Sequence, residues 1–273
     1  MSSFESGTNQ LLVELNERVA VITMNRPEAR NALSDELTGA FRRAIAWAAT
    51  DPQVGAILVT GAGRAFCSGG DVKAMGQRSS SPADQPSVEM QFQTMRARHH
   101  EIAGALRAMR KPSVAALPGA AAGAGMAIAL ACDLRVAASS AFLSTGYARI
   151  GLSGDYGIAW LLSRIVSPGR ARELMLTSQR VDAQRAEQMG LVNEVVTDEN
   201  LNRAAFELAR SLANGPQAAY AYIKDNLDEA LDIDHATAID READRLLKAR
   251  TTQDHKEAVR AFAEKRPPEF QGV

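Results

Sequence analysis

Only two cysteines, Cys67 and Cys132, occur in 273 residues, and neither has a partner at metal-site spacing. That scarcity argues against a disulfide-stapled scaffold and against a zinc motif, and it fits a reduced compartment. An excess of charge is also missing. The 31 Lys and Arg residues against 32 Asp and Glu leave a formal net charge of -1, which speaks against a nucleic-acid or anionic-membrane surface but leaves room for a small basic patch holding one phosphorylated cofactor. No apolar run reaches membrane length. The richest stretch, residues 112–131, is broken by Pro118 and several glycines and flanked by Arg110, Lys111 and Asp133, so it reads as a buried strand passing into a helix. There is no Walker sequence and no G-x-G-x-x-G after a strand. Residues 1–10 are polar and lack the apolar run of a signal peptide. The expectation is a soluble, cytoplasmic chain without nucleic-acid, membrane or metal partners.

What is present has the order of an α/β body followed by helices. Alternating apolar residues over 11–14 and 18–24 around Asn16-Glu17 predict a strand pair. Ser34 opens a helix to about residue 49 with Leu37, Phe41, Ile45 and Ala48 on one face. Further strands are expected over 54–60, 113–117, 133–137, 141–144 and 191–196. Helices are expected over 89–110 (Met95, Ile102, Leu106 and Met109 inward), 123–132, 158–165, 170–176 and 182–188. Residues 77–88, with four serines and two prolines, read as a loop. After Asn200 strand signals stop, and helices over 201–212, 216–231, 235–249 and 255–265 fill the chain, the last ending before Pro267-Pro268. This shift divides the chain into a core over 1–198 and a helical region over 199–273.

Two glycine-rich turns stand at the ends of apolar segments, each leading toward a helix: Cys67-Ser68-Gly69-Gly70-Asp71, and the stretch from Gly119 through Gly123-Ala124-Gly125. Glycine permits close backbone approach, and a helix start has amide donors with no intrahelical acceptor. Two such amides converging on one oxygen would form an oxyanion hole. Taken singly, each turn reads equally well as punctuation without a ligand.

The turns are accompanied by further motifs. Asn25-Arg26-Pro27-Glu28-Ala29-Arg30-Asn31-Ala32-Leu33, residues 63–75 around the first turn, Lys111-Pro112 through Cys132-Asp133, Gly190-Leu191-Val192-Asn193 and Phe262-Ala263-Glu264-Lys265-Arg266 occur in one order along the chain. In this pattern the chain resembles the crotonase superfamily, the enoyl-CoA hydratase/isomerase family, over nearly its whole length. The resemblance implies an α/β crotonase fold, a spiral of strand-strand-helix units. It also implies C-terminal helices that join subunits into a trimer or a hexamer, and an acyl-CoA thioester whose coenzyme A is the substrate's carrier rather than a tightly bound cofactor. It puts the oxyanion donors on the amides of Gly70 and Ala124. It puts coenzyme A contacts on Glu28, Ala29, Arg30, Ser68, Asp71 and Val72, with Lys265 at a phosphate.

The two glutamates of the usual hydratase are replaced by Ala127 and Tyr147, neither of which supplies a carboxylate. Asp155 matches the aspartate of family isomerases of the phenylacetate-pathway type, which implies double-bond migration with Asp155 moving the proton. Burial against Trp160, Leu152 or Tyr147 is expected to raise its pKa, and Tyr147, His100, Ala127 and Trp160 are expected to line the acyl pocket. Asp before an apolar helix also reads as a cap. Three other readings remain at this stage: a hydratase with a non-standard acid/base set, a 4-chlorobenzoyl-CoA dehalogenase-like hydrolase using Asp155 and His100, and a non-catalytic acyl-CoA-binding protein. His99 reads as an ordinary helix residue.

Overall fold

The computed structural model describes residues 4–71 and 86–272. The chain opens with a hairpin of β1 (Leu11–Asn16) and β2 (Val19–Met24), paired antiparallel from Leu11 against Met24 to Asn16 against Val19. That register places the two-residue turn at Glu17-Arg18, one residue later than the sequence suggests. Both turn residues have positive φ, at 45° and 67°, the pair of left-handed residues that matches the twist of a tight hairpin. Helix α1 (Asp35–Thr50) begins as expected at Ser34, whose side chain accepts the Leu37 amide at 3.1 Å.

From there the chain winds through two sheets. β3 (Ala56–Gly61) joins the first sheet, and β4 (Ala65–Cys67) crosses to the second. The passage repeats with β5 (Ser113–Leu117) and β6 (Ala120–Ala122), and again with β7 (Leu134–Ala138) and β8 (Phe142–Ser144). β9 (Val181–Asp182) completes the second sheet antiparallel to β8, and β10 (Glu194–Val196) closes the first beside β7. The strand orders are therefore β1-β2-β3-β5-β7-β10 and β4-β6-β8-β9. β2 through β10 of the first sheet run parallel, so successive strands are linked by crossover connections. β4, β6 and β9 are too short and too poor in branched residues to carry an alternating pattern, which is why the sequence reads their surroundings as turns.

Helix α2 (Val88–His99) continues through a π turn, His100–Gly104, and a last helical turn, Ala105–Ala108. Ile102, Leu106 and Met109 are buried as expected, but Met95 is 55% exposed. The first three turns of α2 bury no side chain, so the inward stripe begins only where the helix reaches the body. The loop expected over 77–88 lies outside the described residues except for its last three.

Helix α3 (Ala124–Ala131) follows β6 and is buried at all eight positions. α4 (Ile158–Ile165) packs on α3 and on α5 (Pro168–Thr177), and α6 (Ala183–Gln188) packs on β8, β9 and β10. The C-terminal part comprises α7 (Leu201–Ala213), α8 (Gln217–Glu229), α9 (His235–Arg250) and α10 (Gln253–Glu264). α7 packs on β3, β5 and β7 and buries Leu201, Ala205, Ala209 and Ala213 in the common core. By packing, the body therefore extends through residue 213, while α9 buries no side chain at all. Among the described residues no helix is long and apolar enough to cross a membrane.

Candidate active site

The spiral topology brings the ends of β4 and β6 side by side, since these strands are parallel neighbours. After β4 the chain turns through Ser68-Gly69-Gly70. The Ser68 amide donates to the Arg30 carbonyl at 3.0 Å, and the Leu33 amide donates to Gly69 at 2.9 Å, so the segment after β2 fixes the turn from one side. Gly69 has φ +94°, and a methyl group there would lie 2.9 Å from the Ala122 carbonyl oxygen and 3.4 Å from the Ala124 nitrogen. Only a residue without Cβ lets the first turn lie so closely on the second. Gly123 caps α3 with φ 55° and ψ -126°, a conformation open to glycine, and its amide donates to Ser144 at 3.0 Å. Ala124 is then the first helical residue, whose amide has no intrahelical acceptor. Among the described residues, neither the Gly70 nor the Ala124 amide donates to a protein acceptor.

A carboxylate stands beside these turns. Tyr147 begins a short 3-10 turn, Tyr147–Ile150, and is 5% exposed. Its ring edge passes close to Gly123, Cε1 lying 4.0 Å from where a Cβ on that glycine would be. Its hydroxyl donates to Oδ1 of Asp155 at 2.5 Å. Burial pushes the Asp155 carboxyl above the usual carboxylate range, opposed by the Tyr147 hydrogen bond and by His99. The Asp155 side chain does not cap α4. Its N-cap is Gly157, and Asp155 contributes only its carbonyl, accepting from the Ile158 amide at 3.0 Å. Tyr156 follows at φ 49°, a strained conformation for a bulky residue, costing about 1–3 kcal/mol. It is 6% exposed and stacks on His99 at 4.2 Å between ring centroids. Burial holds the His99 imidazole below its ordinary pKa, with Asp155 acting in the opposite direction. Cys67, wholly buried below the first turn, is pushed up to about 12 by that burial, so it stays a thiol.

The arrangement is two unpaired amides, directed by glycine turns, next to one half-buried carboxylate. Known proteins resemble the chain in sequence and fold. The model of the family described as enoyl-CoA hydratase/isomerase matches residues 14–273. The chain is 33% identical over 262 residues to 1,2-epoxyphenylacetyl-CoA isomerase of Escherichia coli K12, covering 96% of this chain and 98% of that protein. It is 32% identical over 264 residues to short-chain-enoyl-CoA hydratase of Clostridium acetobutylicum, covering 94% and 96%. The crystal structure of an enoyl-CoA hydratase from Polaromonas sp. JS666 superposes with a TM-score of 0.87 at 33% identity, over 95% of this chain and 98% of the other. The chain belongs to the enoyl-CoA hydratase/isomerase family. Its fold is accordingly the crotonase fold, and it is an enzyme of that family.

Within this family frame, the structure sorts the residues singled out from sequence. Gly70, Ala124, Tyr147 and Asp155 come together. Ala127 is fully buried within α3 and is not among the residues lining the two recesses beside His100. Trp160 and Leu152, expected to bury Asp155, are 41% and 52% exposed. Trp160 instead lies under the Arg164 guanidinium at 3.6 Å, and the shielding of Asp155 comes with the Tyr147 contact. His100 is exposed and lines recesses of about 380 and 450 Å³ with Tyr156, Gly157 and Gly104, Trp160 lining the second. His99, not His100, is the histidine that Asp155 feels. Adjacent residues on a helix point about 100° apart, so only one of the two could face the carboxylate, and composition gave no sign which.

On the other side of the first turn, Pro27–Ala29 forms a 3-10 turn ending at left-handed Arg30. Ser68 Oγ donates to the Ala29 carbonyl at 3.4 Å. Arg30 lines a recess of about 650 Å³ with Arg64 and Arg180, a cationic setting suited to phosphate. Glu28 sits on the same turn. Asp71 pairs with Arg26 at 3.2 Å from both guanidinium nitrogens. Val72 lies outside the described residues. Lys265 is exposed at the left-handed end of α10, and no hydrogen bond or ion pair ties it to Arg30 or Ser68 in the single chain. Sequence reasoning missed Arg26 and Asn31 as builders of the site. Buried Asn31 accepts the Arg26 amide and donates to the carbonyls of Ala62 and Ala65 at 3.0 and 2.8 Å, binding the segment after β2 to the start of β4. A further recess of about 1130 Å³ opens along the first sheet beside α7, and none of the four central residues lines it.

Proposed function

We propose that the chain is an acyl-CoA double-bond isomerase in which the Gly70 and Ala124 amides hold a thioester enolate and Asp155 moves the proton. The observation that carries this reading is the Asp155 carboxylate, held by Tyr147 near two amides that, among the described residues, have no protein acceptor. Withdrawing a proton from the carbon next to the thioester carbonyl puts negative charge on the carbonyl oxygen. Preorganised donors stabilise that charge most as it develops. Asp155 takes the proton as the C–H bond breaks and the electron pair moves onto the carbonyl. It then delivers the proton to the fourth carbon of the acyl chain as the electrons return and the double bond moves from carbons 3 and 4 to carbons 2 and 3. One base suffices for both transfers, and its raised pKa brings it nearer the working pH of a proton shuttle. The coenzyme A part would lie along Glu28, Ala29, Arg30, Ser68, Asp71 and Val72, with phosphates near the arginines and Lys265 serving from a neighbouring subunit.

Water addition has one observation in its favour, the position of His99 against Asp155 as a second titratable group. The test is product identification with purified enzyme on 3-enoyl-CoA and 2-enoyl-CoA, for the wild type and Asp155→Asn. Isomerisation that disappears in Asp155→Asn supports the proposal. Equal isomerisation by both proteins sinks the role of Asp155, and robust hydration by the wild type favours the second reading. Leu227, Leu231, Leu246, Leu247 and Phe262 on α8–α10 and the segment after α8 are 62–88% exposed, an apolar surface suited to subunit contact. We read it as the face through which a trimer or hexamer forms, which light scattering would test.

A further inference from the structure

We propose that Tyr147 is the positioning residue of the proton-transfer base, a rigid spacer that fixes the distance between the Asp155 carboxylate and the oxyanion amides. This rests on the reading of Asp155 as base and adds to it a residue whose role the missing glutamate position left empty. Three features carry it. The Tyr147 ring is buried and lies against Gly123, the residue that aims the Ala124 amide. The hydroxyl at the far end of the same ring donates to Asp155 Oδ1 at 2.5 Å, so one inflexible side chain touches both halves of the site. The turn that carries the ring is itself fixed, because Leu152 donates to the Tyr147 carbonyl at 3.0 Å.

Asp155 needs such an anchor. It follows Gly154, φ +128°, and precedes left-handed Tyr156 and Gly157, and its side chain caps no helix. The hydroxyl occupies Oδ1 and leaves Oδ2 to take the proton from one carbon and return it to another, so the free oxygen keeps one position through both transfers. Transfer rates fall steeply when reacting atoms are misplaced by about 1 Å. The groups facing Asp155 are Tyr147 from its 3-10 turn, His99 from α2, Cys67 from β4 and Tyr156 beside it, with Arg98 and Arg42 acting on Tyr156 from further off. Burial holds the Tyr147 phenol well above its ordinary pKa, so it remains a donor throughout the working range.

The test uses Tyr147→Phe, which keeps the ring and removes the hydroxyl. The expected result is a kcat lower by about ten- to a hundredfold with KM changed less than about threefold, as for lost positioning and acid/base efficiency. The acidic limb of the kcat/KM profile should move to higher pH, because the ionised carboxylate loses a donor. The same shift should persist in a His99→Gln background, which assigns the limb to Asp155. Placing 3-fluorotyrosine at position 147 makes the phenol a stronger donor and should move the limb the other way, a readout that does not depend on Tyr147→Phe folding well. In an Asp155→Asn background the Tyr147→Phe change should cost almost nothing, since its effect passes through Asp155. Wild-type kcat and an unmoved limb in Tyr147→Phe, or an unmoved limb with fluorotyrosine, would overturn the proposal. Should Asp155→Asn itself keep full isomerisation, the reading of the base fails first, and that outcome is distinguishable from a silent Tyr147.

Discussion

The two halves of the proposed site, an oxyanion hole and a proton-transfer base, are built from different materials. The oxyanion half is backbone: amides at Gly70 and Ala124, held by turns that touch through Gly69 and Gly123. The proton-transfer half is side chain: Asp155 on Tyr147, with His99 against Tyr156. A backbone donor survives most substitutions provided the residue is small enough for the turn, so this half can serve every member of a family whose intermediate is an enolate. A side-chain base changes with a single substitution. On the proposed reading, a chain similar to both a hydratase and an isomerase keeps one intermediate and differs in what becomes of it.

The largest effect that would separate the halves is expected from Asp155→Asn. Removing the base should lower kcat by about two to four orders of magnitude while leaving affinity for a saturated acyl-CoA, measured by calorimetry, within a few fold. The complementary change is Ala124→Pro. Proline is tolerated at the first residue of a helix, so this substitution deletes one amide donor while α3 is kept. A loss of about 10²–10³ in kcat with an unchanged circular dichroism spectrum is expected, whereas near-normal turnover would remove the Ala124 amide from the mechanism. Gly69→Ala should damage both stability and turnover, because φ +94° and the 2.9 Å approach to Ala122 are incompatible with Cβ. Thermal or denaturant unfolding should show a loss of about 1–3 kcal/mol.

A smaller effect concerns pH. Burial raises the Asp155 pKa in the folded protein, so the native state holds this proton more tightly than the unfolded chain. Its contribution to stability is complete below the unfolded carboxylate pKa and is lost as pH rises through the higher folded value. Asp155→Asn has no charge to bury, so at neutral pH it should melt above the wild type. That advantage should shrink as the buffer is acidified through the two pKa values; a pH-independent difference between the two melting curves would contradict the assignment. Ala124→Gly should have the least effect on rate, within about threefold, since the amide remains and only helix propensity, under about 1 kcal/mol, is lost.

The halves also differ in how legible they are in the sequence. The oxyanion turns were readable because their requirement is a residue type: glycine where two backbones touch, small residues through α3. Most longer elements were readable from periodicity, and Ser34 marks a helix start with a side chain that caps as expected. Of the second sheet only β8 was, as the strand expected over 141–144; β4, β6 and β9, two or three residues each, carry no period. In the proton-transfer half, Asp155 and Tyr147 could be pointed to one by one. Their hydrogen bond could not, because it depends on how a 3-10 turn and a loop are folded onto each other. The choice of His99 over His100 rests on the rotation of α2 where it meets the body. Buried Asn31 and part-buried Arg26 escaped notice because polar residues that join backbone segments look, in sequence, like any loop residues.

The central claim is that one carboxylate carries the proton on an enolate held by backbone amides. Following 3-enoyl-CoA in heavy water by proton magnetic resonance tests it most directly, since label entering the second and fourth carbons reports each transfer. The wild type is expected to exchange at those carbons while forming 2-enoyl-CoA, and Asp155→Asn and Ala124→Pro each to lose both exchange and isomerisation by about a hundredfold or more. Wild-type exchange and isomerisation in Asp155→Asn would contradict the account.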